Sequence, residues 1–336
     1  MRNIQRLKRN NRQRGVALVA VLLIFALISV LAAGMISRQR LQIHQSMNLL
    51  SQTQAYQLAQ GVEVFARQLL VEDFEADKKE GVNTDTSEEP VFKRAIIYAE
   101  PTFSIEGQLD DLQGRFNLNS LVNAQTGQVN TASMQLFQNL LFQLGITDMR
   151  VEPIIEWMDP NEQVEHPGGV EDSNYLGKDV PYRTANGPFQ SVSELLLIES
   201  VTQEAYELLE PYVTALPAQV NKININTAPA AILQSLDIQI TPAQAQELLE
   251  VREKEEGFDR LQDFLSQPAL PPGVQQHADL LDVRSEYFQL TARGIFDGRT
   301  SRLVSILYRG PQGGIQVIRR DQSLKYPINK PALELE

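Results

Sequence analysis

Hydrophobic positions divide the chain into regimes of different period. From Val16 to Ile36 no residue is charged, a run long enough to cross about 30 Å of hydrocarbon as a helix. Beyond it apolar residues recur at helical spacing, at Ile43, Met47, Leu50, Leu58, Val62, Phe65 and Leu69, among Gln, Ser and Arg. No proline falls between Val16 and Pro90. A single helix is therefore predicted to about Leu70, roughly 80 Å long, apolar all round at first and one-sided afterwards. Asp73 to Glu89 is charged and predicts an exposed loop. Strand-like alternation then appears in Thr102 to Leu109, and returns only in Tyr287 to Ile295, Ser301 to Tyr308 and Gly314 to Arg319. Phe296-Asp297-Gly298-Arg299 has the Asp-Gly chemistry of a hairpin turn. Between the first strand and the rest lie helical patterns at 133–144, 150–157, 191–198, 203–212, 229–236, 242–255 and 260–265. The pattern predicts one sheet interrupted by a large helical insertion.

Inside the insertion, Gly187-Pro188-Phe189-Gln190-Ser191 parallels Glu256-Gly257-Phe258-Asp259-Arg260, a Phe entering a short helix through Ser or Asp. The repeat predicts two helical modules, 113–215 and 216–282, set into an α+β domain made of 37–112 and 283–325. Residues 326–336 are expected to form a disordered tail.

The segment ahead of the apolar run carries Arg2, Arg6, Lys8, Arg9, Arg12 and Arg14 and no acid. Basic residues hold the start of such a helix in the cytoplasm, so everything after Ile36 is expected across the membrane. A secretory signal places its small-residue cleavage site after the apolar stretch; here Gly15 precedes it. The junction alone leaves two readings, an anchor that is never cut or a leader removed between Gly15 and Val16. With the basic leader set aside, the remainder is more acidic than the net charge of −12 implies. That is a poor match for nucleic acid and a better one for a hard cation or a basic partner. Cysteine is missing, which excludes disulfides and thiol chemistry. His44, His166 and His277 are scattered without metal-ligand spacing, and no serine lies in an elbow or triad signature. Neither catalysis nor a small-molecule substrate is expected.

Two motifs remain. Asp159, Glu162, Glu165, Glu171, Asp172 and Asp179 crowd one stretch with Asn161, Ser173 and Asn174, while Pro160, Pro167, Gly168 and Gly169 keep it irregular. Calcium takes about six to eight oxygens, so the loop is competent to hold it. The spacing is not that of an EF-hand, and a merely solvated charged loop is the other reading. Ile223-Asn224-Ile225-Asn226-Thr227-Ala228-Pro229 and the helix after Pro242 look like a helix-hairpin-helix of DNA-binding proteins. The hairpin, Leu236-Asp237-Ile238-Gln239-Ile240-Thr241, has no glycine and one acid, both unfavourable for phosphate. A packing module for protein contact and a membrane-tethered DNA receptor of a competence or type IV pilus system are the alternatives.

Taken together, Arg14-Gly15-Val16-Ala17-Leu18, the stretch Asp111-Leu112-Gln113-Gly114-Arg115-Phe116-Asn117-Leu118-Asn119, and Trp157-Met158-Asp159 through Gly169-Val170-Glu171-Asp172 to Pro181-Tyr182-Arg183 resemble the K-subunit family of type II secretion minor pseudopilins. Ser193-Glu194-Leu195 and Ile223 to Ala228 extend the match. The resemblance implies an α+β fold: a pilin-like long N-terminal helix packed on an antiparallel sheet, with a large all-α insertion of two SAM-like or helix-hairpin-helix-like modules. It implies that 1–15 is a prepilin leader, cut after Gly15 by prepilin peptidase with methylation of Val16. Residues 16–36 would span the bacterial inner membrane once, with the C-terminal domain in the periplasm. The implied partners are the I and J subunits at the pseudopilus tip, supporting protein export across the outer membrane. The implied cofactor is a structural Ca2+ in the acidic loop, with Asp159, Glu171 and Asp172 as ligands and Asn161 and Glu165 beside them. The fifth mature position is Ala20, where major pilins carry Glu. A carboxylate in lipid is costly unless paired, so a subunit with nothing above it is expected to do without one.

Overall fold

The structure, a computed structural model, describes residues 13–123, 126–164, 166–323 and 326–333. Helix α1 (Gln13–Glu80) is one uninterrupted helix of 68 residues. Its apolar run stands clear of the rest of the chain, with Val16, Leu23 and Val30 exposed. A buried stripe begins further on, at Ala55, Ala59, Val62, Ala66 and Leu70, the spacing of one helix face.

That face lies on a five-stranded antiparallel sheet. The strands in chain order are β1 (Ile96–Ala99), β2 (Phe103–Asp111), the two-residue β3 (Phe116–Asn117), β4 (Val213–Thr214), β5 (Ile223–Asn224) and β6 (Leu281–Asp282), then β7 (Tyr287–Phe296), β8 (Arg299–Arg309) and β9 (Ile315–Asp321). The main sheet runs β1-β2-β7-β8-β9. Asp297 and Gly298 both have positive φ, 46° and 71°, the primed turn expected for the β7–β8 hairpin. Leu109, Leu290, Ala292, Leu303 and Leu307 face the helix and form its core with the α1 stripe. At Gly294 the sheet meets the backbone of α1 so closely that a Cβ would strike the Ala55 carbonyl. Glu63 of α1, nearly fully buried, accepts from Ser305 Oγ (2.6 Å) and from Arg320 Nε (2.8 Å) and Nη2 (2.7 Å), which fixes the rotation of the helix on the sheet.

Three expectations are corrected here. The helix runs ten residues past Leu70, and the segment expected as an exposed loop, Asp73 to Glu89, turns inward after Glu80. Thr84, Asp85 and Thr86 are buried, and the carboxylate of Asp85 is met there: Arg309 Nη2 donates to both its oxygens, and Ser285 N–H donates to Oδ2 (2.7 Å). The short α2 (Pro90–Lys93) then leads into β1, an edge strand that the sequence pattern did not mark. The described part of the tail, 326–333, pairs with the body rather than trailing from it. Ala332 bridges Ala95, Asn329 and Lys330 donate their N–H groups to Gln108 Oε1, and Lys330 Nζ meets Asp110 Oδ1 at 2.7 Å. The pairing joins the tail to Ala95 and to β2, partners remote in sequence that no local pattern marks.

The chain leaves the sheet at the end of β2 and returns at β7. In between are α3 (Thr131–Gln143), α4 (Glu152–Met158), α5 (Asp172–Tyr175), α6 (Gln203–Leu209), α7 (Ala230–Ser235), α8 (Pro242–Lys254) and α9 (Leu261–Leu265), with 3-10 turns at Val192–Leu197 and Pro272–Leu280. They follow one plan twice. Asn117-Leu118-Asn119 and Asn224-Ile225-Asn226 each begin on a two-residue strand, which pairs in parallel with the last strand of its unit, β3 with β4 and β5 with β6. Asn119 and Phe189 exchange hydrogen bonds, Nδ2 to the Phe189 carbonyl (2.9 Å) and Phe189 N–H to Oδ1 (2.7 Å). Asn226 and Phe258 repeat that exchange at 3.0 and 2.8 Å. The side-chain amide thus substitutes for a strand partner where the Phe enters. Both units share one apolar core, from Phe116 to Val283, separate from that between α1 and the sheet.

Candidate metal centre

The first unit departs from the second by the acidic segment between α4 and Phe189. Asp159 follows the last residue of α4, and Glu171 precedes the first residue of α5. The segment folds back so that these two meet Glu156, from the last turn of α4, with one carboxylate oxygen from each within 4.8 Å of the others. All three are buried. Glu156 Oε1 accepts from His166 N–H (2.7 Å), and His166 Nδ1 lies 2.9 Å away. Asp159 Oδ1 accepts from Asn161 N–H (3.1 Å). Glu171 Oε2 takes the Thr184 hydroxyl at 3.3 Å, while its Oε1 is buried with no hydrogen-bond partner among the described residues. Burial, reinforced by the charge of Asp159, pushes the Glu171 carboxyl up to about 7.

An aromatic wall backs the site. Trp157 packs edge-on against Tyr175 at 5.5 Å, Tyr182 stacks beside Tyr175 at 5.3 Å, and Lys178 Nζ lies over both tyrosine rings. The motif Trp157-Met158-Asp159 thus uses alternate sides of one helix end, ring inward to the wall and carboxylate to the cluster.

Of the residues singled out from the sequence, Asp159 and Glu171 converge. Asp172 does not join them: Thr184 N–H (2.9 Å) and hydroxyl (2.8 Å) occupy its Oδ1, and Arg183 Nη1 lies 3.2 Å from Oδ2. The step into α5 sends adjacent side chains in different directions. Asn161 shapes the turn after Asp159, its Oδ1 accepting from Gln163 N–H at 2.7 Å. Glu165 lies outside the described residues. Gly15 and Val16 are in the first turns of α1, and leader residues 1–12 lie outside the described residues. Glu156 is the residue the sequence reading missed, although its place three residues before Asp159 at a helix end was a usable signal. Three buried carboxylates with an unsatisfied oxygen suit a hard, oxygen-seeking cation.

A second acidic cluster, Asp73, Asp85 and Glu89, lies where α1 meets the insertion. It differs in holding its own cation, since Arg309 reaches Asp85 and, at 3.5 Å, Asp73. Next to it Asp111, at the end of β2, accepts from Ser285 Oγ (2.6 Å), Asn224 Nδ2 (3.1 Å) and the Thr227 hydroxyl. Asn224 N–H donates to the Gln113 carbonyl (2.8 Å), and Gln113 Oε1 accepts from Glu286 N–H (2.7 Å). The joint between sheet and insertion is thus built from the motifs Asp111 to Asn119 and Ile223 to Ala228.

A family profile described as type II secretion system (T2SS), protein K, matches residues 114–218, and a second of the same description matches 223–284. Similar chains include the type II secretion system protein K of Pseudomonas aeruginosa, 35% identical over 92% of each chain. That of Klebsiella pneumoniae is 33% identical over 78% of this chain and 81% of its own. Among solved structures, a chain of the GspK–GspI–GspJ complex from the type 2 secretion system of enterotoxigenic Escherichia coli superposes with a TM-score of 0.70. It is 25% identical, with 82% of this chain and 99% of that one covered.

Proposed function

Because the chain belongs to the type II secretion system protein K family, we propose that this minor pseudopilin sits at the tip of the pseudopilus with the I and J subunits and supports protein export across the outer membrane. The observation that carries the reading is the division of α1. Its apolar start is bare and long enough to cross a bilayer, while its second half is locked on the sheet through Glu63 and Gly294. Such a helix anchors the chain once in the inner membrane, leaves the rest in the periplasm, and offers lipid-facing surface to like helices. Prepilin peptidase cuts after Gly15 and leaves Val16 as the methylated amino terminus. The insertion adds a body beside an intact ladder, too bulky to stack inside a fibre, which favours the end. Partnership with I and J is supported by the complex in which the similar solved chain was found.

In this reading Glu156, Asp159 and Glu171 hold a structural Ca2+ that secures the long loop where no disulfide can, with Asn161 shaping the turn beside it. The two modules serve as SAM-like scaffolds for protein contact. A DNA receptor is disfavoured by the hairpin itself: Asp237 accepts from Gln239 N–H, and Thr241 and Gln244 cap one another, so these N–H groups are spent. No catalytic constellation stands out at any of these sites.

The test is affinity capture of the full-length tagged chain from detergent-solubilised membranes. Recovery of I and J is expected, and their absence would sink the reading. Gold label on the chain is expected at pseudopilus ends; label along the sides would rule out the tip.

A further inference from the structure

On the sheet face turned away from α1, a line of side chains is buried. Gln108, Thr291, Val304 and Asp321 are successive cross-strand partners on β2, β7, β8 and β9, so they form one row perpendicular to the strands. The first three are buried. After β9 the chain returns across the sheet along this row as the segment 326–333. Over β8 and β7, Tyr326, Pro327 and Ile328 share a groove with Val304 and Thr291. Over β2, the N–H groups of Asn329 and Lys330 both donate to Gln108 Oε1, at 3.1 and 3.2 Å. Lys330 Nζ reaches Asp110 Oδ1 (2.7 Å) and the Leu109 carbonyl. Beyond β2, Ala95 N–H donates to the Pro331 carbonyl (2.7 Å), and Leu333 N–H donates to the Ala95 carbonyl (2.6 Å).

Two features of this crossing favour release. The hold is mostly polar, and none of residues 326–333 is buried. Each such hydrogen bond replaces one to water and shifts the balance only about fivefold. The part-exposed Lys330–Asp110 pair adds little and is screened by salt. The cover is also incomplete. About 290 Å³ of groove remains between the segment and β7–β8, and Thr291 Oγ1 is buried there without a hydrogen-bond partner among the described residues. Desolvation without a partner opposes closure. Pro327 and Pro331 act the other way, since they keep the free segment extended and reduce the ordering cost of closing again.

We infer that 326–333 is a strap that opens and closes as a unit over a folded sheet. Opening bares the row Gln108, Thr291 and Val304 and both backbone groups of Ala95. The surface beneath is therefore a receptor for an extended, proline-containing peptide, and its resident occupant is the chain's own tail. This inference goes beyond the function proposed above and does not rest on it.

Hydrogen exchange of the full-length chain in detergent tests the strap at the Ala95 and Leu333 amides. Donors Asn329, Lys330, Ala95 and Leu333, at about fivefold each, give a closing constant of roughly 10²–10³. Both amides are expected to exchange together, slower than a free peptide by about that factor and at least about a hundredfold faster than amides of β7 and β8. Exchange no faster than in β7 would make the tail a fixed part of the body, and exchange at the free-peptide rate would mean that nothing is strapped. Either result overturns the inference. Ending the chain at Ser323 is expected to leave β7 and β8 protected and to expose the Ala95 amide. A synthetic peptide of residues 326–333 is expected to restore that protection, and a scrambled one is not. Its Kd should be on the order of 1–10 μM, the millimolar effective concentration of a short tether divided by the closing constant. A shortened chain that cannot fold, or no restoration at millimolar peptide, overturns the inference as well. In the full-length chain, Lys330→Ala is expected to speed exchange at Ala95 and Leu333 about fivefold while β7 is unmoved. Unchanged rates at both amides would count against the strap.

Discussion

Asn119 and Asn226 occupy equivalent places in the two modules, and each satisfies both backbone groups of a buried phenylalanine. Asn226→Ala leaves those groups without partners and is expected to cost about 2–3 kcal/mol in urea unfolding. Asn119→Ala is expected to cost a similar amount, since its amide also donates to the Leu216 carbonyl. Glu171 makes a signed prediction of another kind. At neutral pH without calcium, Glu171→Gln removes a buried carboxylate held near Asp159, and melting is expected to rise by the equivalent of about 1 kcal/mol. In millimolar calcium the same substitution is expected to abolish most of the metal-dependent gain in melting temperature. If calcium and chelator give the same melting curve for the parent, the carboxylates hold no structural ion. Asp159 and Glu171 were singled out through the family resemblance, within an acidic stretch that proline and glycine keep irregular, and the structure brings these two together with Glu156. Glu156 was passed over, because a glutamate inside a helical period looks like one more solvated position unless its spacing to Asp159 at the helix end is weighed.

At the scale of elements, the contact between α1 and β7 depends on a missing side chain. Gly294→Val would place Cβ against the Ala55 carbonyl and the Ala59 N–H, backbone atoms that cannot rotate aside. The expected result is a loss of roughly 2 kcal/mol or more, with faster proteolysis of α1 beyond Ser51; a melting temperature within error of the parent would show that the helix shifts freely. The long helix, the four longer strands and the Asp-Gly hairpin were all readable from period and turn chemistry. The inward turn at Thr84 to Thr86 was not, since a charged run is buried only when something remote meets its charge, here Arg309. The tail is the same case with backbone in place of charge: Ala332 pairs with Ala95 across most of the chain.

For the whole molecule, the decisive region is the joint where the insertion leaves the sheet. Burial lifts the Asp111 carboxyl from its ordinary 3.8 to about 6, and Asp85 and Asp73 are raised in the same direction, Asp73 to about 6. An acid whose folded value is raised contributes stability that is complete below 3.8 and is lost as pH climbs through about 6. Melting of the full chain is therefore expected to fall between about pH 4 and pH 6 through these groups, with a shallower fall in Asp111→Asn. An identical slope in parent and variant would remove Asp111 from the account. By itself the sequence determined the long apolar-to-amphipathic helix, the α+β class, the interrupted sheet and the twofold helical insertion, because apolar period, proline and glycine placement and turn chemistry act over a few residues. Only the tertiary structure decided which carboxylates converge, and how Asp111 to Asn119 and Ile223 to Ala228 lock into one joint. Those outcomes depend on groups brought together by loop closure and strand register over tens to hundreds of residues, and no local pattern along the chain encodes which distant partner arrives.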